Sequence, residues 1–99
     1  MESEKDTEKY LVEQVESIGG LCRKFTSAGV RGVPDRVCLF PRGITIWVET
    51  KSEGDKPTDG QLREHARMLD RKHRVWVIKT TYEVDEMIWE VNCELLRRF

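Results

Sequence analysis

The sequence has no apolar run near the roughly 20 residues that a membrane span requires. Its start, Met1-Glu2-Ser3-Glu4-Lys5-Asp6, lacks the basic segment and apolar stretch of a secretion signal. The expectation is a cytoplasmic chain with no membrane partner. Cysteine is scarce as well. Cys22, Cys38 and Cys93 are an odd number without a CxxC pair, and His65 and His73 lie far from them in sequence, so neither a disulfide framework nor a zinc site has support. All three thiols are expected to be reduced and mostly buried. Net charge is nearly absent too, at -1, which taken alone speaks mildly against a polyanionic partner.

The distribution of charge says more than its sum. Residues 1–22 carry six acids and two bases, residues 23–56 four acids and seven bases, and residues 57–99 eight of each. A phosphate backbone would be drawn to the middle segment, and an ordinary solvated surface fits the same count. With 99 residues, 38% hydrophobic and 35% charged, the chain suits one domain over residues 1–99 with a modest core. Small cores often gain stability from a second subunit.

Periodicity gives the element order. Leu11, Val12, Val15 and Ile18 recur at helical spacing, predicting a helix over residues 7–18 that Gly19-Gly20 ends. Residues 21–25 read as a strand, and residues 27–34 as a glycine-rich loop whose Pro34 forces Val33 into an extended conformation. Asp35 then opens a strand over residues 36–40, and Pro41-Arg42-Gly43 turns the chain into a second strand over residues 44–49. Residues 52–59 form a surface loop. With Asp59 as N-cap, a helix is predicted to about residue 72 with Leu62, Ala66 and Leu69 inward. A strand over residues 74–79 follows, its Val75-Trp76-Val77-Ile78 too apolar for a wet edge. A last helix runs from residue 81 to about 97, on the stripe Val84, Met87, Ile88, Val91 and Leu95. The order αβββαβα, with a hairpin and then a strand–helix–strand crossover, predicts an α/β fold with a mixed sheet flanked by helices.

The chemistry gathers at strand ends. Glu49 and Lys51 share one face of an extended segment, roughly 6.6 Å apart along it, while Ile44, Ile46 and Val48 occupy the other. The hairpin brings Asp35 to the same sheet edge. Two carboxylates, a backbone carbonyl such as that of Thr50, and a phosphate oxygen would suffice for Mg²⁺, which keeps several waters. A bound water then becomes a hydroxide-like nucleophile, and Lys51 beside it orients that water or stabilises the transition state. Glu8 lies in phase with the inward stripe of the first helix, where a carboxylate needs a metal or a cationic partner unless it frays into solvent or favours the helix dipole. Gln61 heads the second helix in phase with His65 and Met68, either holding a water or phosphate near the site or capping the helix.

Gly32-Val33-Pro34-Asp35-Arg36, the triplet Glu49-Thr50-Lys51 and the downstream Gln61 resemble the VRR-NUC family, a branch of the PD-(D/E)XK nuclease superfamily. The likeness extends over Glu8-Lys9-Tyr10-Leu11, Gly19-Gly20-Leu21 and Lys24-Phe25. It implies a restriction-endonuclease-like core in a small stand-alone nuclease of the bacteriophage type, acting on DNA with Mg²⁺ or Mn²⁺ in the host cytoplasm. Small members are similar to Holliday junction resolvases and work as homodimers, so branched DNA such as a four-way junction is the implied substrate. By position, Glu8, Asp35 and Glu49 are the acidic residues, Lys51 the catalytic lysine and Gln61 the accessory amide. Thr50 departs from the pattern, since the family more often has an apolar residue there. Arg31, Arg36 and Lys56 are expected to touch phosphates. Trp89, Leu96 and Phe99, off the main stripe of the last helix, either make dimer contacts or complete the monomer core. The competing class is a nucleic-acid-binding module without catalysis.

Overall fold

A computed structural model describes residues 2–97. Ser3 caps helix α1 (Glu4–Ser17), its hydroxyl accepting the Asp6 N–H at 3.1 Å, so the helix starts three residues before the predicted position. Strand β1 (Leu21–Lys24) leads through the glycine-rich loop to β2 (Arg36–Leu39), and a 3₁₀ turn at Pro41–Gly43 leads to β3 (Thr45–Thr50). Helix α2 (Asp59–Asp70), strand β4 (Arg74–Ile78) and helix α3 (Thr81–Leu96) complete the order αβββαβα.

The four strands form one mixed sheet in the order β1-β2-β3-β4, antiparallel up to β3 and parallel between β3 and β4. The parallel pair follows from the crossover through α2. One sheet face is apolar. Cys22, Cys38, Ile46, Val48 and Ile78 pack there with Leu11 and Val15 of α1 and with Val84, Met87, Ile88 and Val91 of α3. Strand alternation sends Trp47 and Glu49 to the other face, where α2 lies. Cys22 and Cys38 are buried cross-strand neighbours with Sγ atoms 3.9 Å apart, and Cys93 is half-buried; all three are free. Among the described residues no helix is long and apolar enough to cross a membrane.

Two expectations fail here, each for a reason of layering. β4 is the last strand of the sheet, despite its apolar run. Val75, Trp76 and Val77 are half-buried and Ile78 is buried because α2 packs against the strand and α3 also contacts it, so an apolar run does not require a central position. On α2 the predicted inward residues face outward: Leu62 and Leu69 are 52% and 51% exposed, and Ala66 is exposed too. The inward row is Gln61, His65 and Met68. What α2 covers is the polar end of the sheet, so its polar residues turn in.

Candidate active site

Asp35 is fixed from two sides. Its backbone carbonyl accepts the Phe25 N–H at 2.9 Å, which ties it to β1, and its carboxylate reaches across to β3. There Oδ2 accepts the Thr50 hydroxyl at 2.9 Å and Oδ1 the Thr50 N–H at 3.3 Å. Thr50 is 1% exposed. It was expected to contribute only a carbonyl, but its hydroxyl and amide hold the first acid in place. The β2–β3 register pairs Arg36 with Val48, so one step further Asp35 stands opposite Glu49.

Glu49 is 5% exposed. Its Oε2 accepts Gln61 Nε2 at 3.1 Å and lies 3.9 Å from Lys51 Nζ, while Oε1 is buried with no hydrogen-bond partner among the described residues. Burial pushes the carboxyl up to about 7, the charge of Asp35 adds to this, and Lys51 pulls against it. The Asp35 carboxyl is raised as well, first by burial, with the two Thr50 hydrogen bonds opposing. The site thus holds two neighbouring acids, both reluctant to ionise.

Gln61 joins the helix start to the acid. Thr58, rather than the predicted Asp59, is the N-cap: its hydroxyl accepts the Gln61 N–H at 3.1 Å, and Gln61 Oε1 accepts the Thr58 N–H at 2.9 Å. The remaining Nε2 donates to Glu49. The capping reading of Gln61 is realised, and the same side chain also contacts Glu49. Thr-x-x-Gln was a legible capping box. His65, one turn on, is 5% exposed, its Nε2 has no hydrogen-bond partner among the described residues, and burial lowers its pKa. Only its phase with Gln61 signalled that it faces inward.

Glu8 points inward as expected and finds a cation: Arg36 Nε lies 3.3 Å from its Oε2. This pair corrects the expectation for Arg36, whose side chain is 12% exposed and turned to Glu8 rather than offered on the surface. Arg31 and Lys56 are exposed on the loops either side of the site. Among the described residues no three His, Cys, Asp or Glu side chains cluster so as to hold a metal ion, and the acids present at the strand ends are the pair Asp35 and Glu49. That pair still fits a hard cation, because Mg²⁺ is commonly bound by one or two carboxylates plus waters and substrate oxygens, and because Glu49 Oε1 has no hydrogen-bond partner among the described residues.

Gly32 sets the distance between loop and helix. Its φ is +87°, and a Cβ there would stand 2.5 Å from the Gly60 carbonyl oxygen and 3.1 Å from Gln61 Cα. Gly32→Ala combines a left-handed conformation with a backbone collision beside Gln61. It is expected to destabilise the fold by about 2–4 kcal/mol, and urea denaturation reads this directly.

The fold is the restriction-endonuclease-like α/β core, with two acids and a lysine at one end of a mixed sheet. No protein-family profile matches the chain. Among curated proteins it is 52% identical over 75 residues to "Putative nuclease p44" of Acyrthosiphon pisum secondary endosymbiont phage 1, covering 76% of this chain and 81% of that protein. Among solved structures, one described as a VRR_NUC domain matches with a TM-score of 0.82 and 41% identity, over 86% of this chain and 92% of that one. The chain belongs to the VRR-NUC family of nucleases and is of the small phage type.

Trp89 and Leu96 are 68% and 77% exposed, so they do not complete the monomer core. Phe99 lies outside the described residues.

Proposed function

We propose that the chain is a metal-dependent DNA endonuclease that hydrolyses phosphodiester bonds in branched DNA, such as four-way junctions, with Mg²⁺ or Mn²⁺. The observation that supports this most is the buried Oε1 of Glu49, which has no hydrogen-bond partner among the described residues in a carboxyl already driven toward its neutral form. A cation there would favour the ionised form and use the open oxygen.

In this reading Asp35 and Glu49 would hold the cation, the Thr50 carbonyl could supply a further oxygen, and Glu8 is an outer acid tied to Arg36. A bound Mg²⁺ would supply a more acidic water and neutralise charge on the scissile phosphate. The chain's own residues do the positioning. Gln61 holds Oε2 of Glu49, Thr50 holds Asp35, and Lys51 orients the attacking water or stabilises the charge that develops on the phosphate. Arg31 and Lys56 contact the phosphates of the flanking strands. Symmetrical cutting of a junction needs two sites, which a homodimer supplies, and exposed Trp89 and Leu96 on α3 are the proposed contacts. A phage-type enzyme of this kind works in the host cytoplasm.

Duplex, flap and four-way junction DNA, each incubated with and without Mg²⁺, test the proposal. Cutting of the junction that is absent in EDTA and restored by Mg²⁺ or Mn²⁺ is the expected result. Binding with no metal-dependent cutting on any of the three would instead make the chain a non-catalytic binding module.

A further inference from the structure

The basic residues of α2 are not scattered. Arg63 and Arg67, with Arg71 at the C-cap, are spaced four apart, so they form a row along one flank of the helix, about 6 Å from one to the next. It is the flank toward the glycine-rich loop. Arg31, Arg63, Glu64 and Arg67 line one hollow between loop and helix; Val30, Glu64, Arg67 and Arg71 line the next. Because the hollows share Val30, Glu64 and Arg67, they form one groove along α2. It starts beside Gly60, one residue before the amide that touches Glu49.

The groove is rich in cations and poor in acids. Glu64 is the acid in its wall, and it is paired with Arg67 at 3.5 Å, yet the Arg67 side chain is 71% exposed. Arg71 donates to the Arg67 carbonyl at 3.0 Å, which anchors one nitrogen of its guanidinium. The row presents several outward N–H donors at intervals that suit successive phosphates, with the aliphatic Val30 below. On the opposite flank Leu62, Ala66 and Leu69 carry no charge, and the other acids of the helix, Asp59 and Asp70, do not line the groove.

We infer that this groove is the track for the strand beyond the scissile bond: a phosphodiester backbone runs from Glu49 along α2, held by Arg63, Arg67 and Arg71 together with Arg31. The inference rests on the nuclease reading and adds to it a substrate-binding surface and a direction. From Gln61 to Arg71 the helix advances about 15 Å. At about 6 Å from one phosphate to the next, that length accommodates about two or three nucleotides of one strand.

Binding is measured by fluorescence anisotropy with labelled four-way junction DNA in Mg²⁺, in a Lys51→Ala background that keeps the DNA intact. Changing Arg63, Arg67 and Arg71 together to glutamine is expected to lower the slope of log affinity against log salt by about 2–3, at 0.7–0.9 per lost phosphate contact. The three corresponding lysine changes should keep most of the slope. If the triple glutamine variant loses its circular dichroism signal, Arg67→Gln alone, at an exposed side chain, should lower the slope by about one. Trimming the flanking strand below about three nucleotides should weaken the Lys51→Ala parent and leave the glutamine variant unchanged. An unchanged slope in a folded variant, in a protein that cuts DNA when Lys51 is present, overturns the groove and leaves the nuclease standing. A protein that neither cuts nor binds any of these DNAs overturns both.

Discussion

Glu49→Gln is expected to abolish cleavage while making the protein more stable at pH 8. An ordinary glutamate ionises around 4.5, but in the fold Glu49 keeps its proton up to about 7. Between those values the folded state binds more protons than the unfolded chain, so stability falls as pH rises through the window and levels off above it. At about 1.36 kcal/mol per pH unit, the full difference is about 3 kcal/mol. Glutamine cannot ionise and keeps an oxygen for Gln61 to donate to. Urea denaturation should therefore show a gain of up to about 3 kcal/mol at pH 8 and almost none at pH 4. Mg²⁺ adds a second readout. It should stabilise the wild-type protein at pH 8, where it compensates the buried anion, and leave Glu49→Gln unaffected. Equal stability of the two proteins at pH 8 would remove the basis for reading Glu49 as a cation ligand.

Lys51→Ala is the second large effect. Loss of one preorganised cation beside the reacting phosphate typically lowers kcat by about 10²–10³-fold, with KM little changed. A structural role would not alter the pH profile, but this variant should. Lys51 holds the Glu49 carboxyl down against burial and the charge of Asp35. Without it, the acid limb of the residual activity moves to higher pH, and raising the Mg²⁺ concentration moves it back. Lys51→Arg, which restores the charge, should recover part of the pH profile even where its geometry does not restore full kcat. An Ala variant with wild-type kcat would exclude Lys51 from the chemistry.

The same residues show how far local pattern carries. Strand alternation placed Glu49 and Lys51 on the face away from Ile46 and Val48, and the hairpin at Pro41–Gly43 brought Asp35 opposite Glu49, as the structure has it. Helical phase put Glu8 inward, but its partner Arg36 is 28 residues away and was expected to touch a phosphate. Thr50 was expected to offer only its carbonyl, because strand alternation turns its side chain to the face away from Glu49 and Lys51. Its hydroxyl acquires a purpose only once Asp35 is folded across from it.

By itself the sequence determined the order αβββαβα, the mixed sheet and the meeting of Asp35 and Glu49 with Lys51 at one sheet end, because these depend on residue period, on glycine and proline turns and on hairpin connectivity. Tertiary structure alone decided which flank of α2 turns inward, that β4 ends the sheet, and that Arg36 serves Glu8. A helix pattern offers stripes without saying which one meets a layer. Here the layer beneath α2 includes the buried carboxyl of Glu49, and Gln61 meets it with a hydrogen bond that Leu62 cannot make.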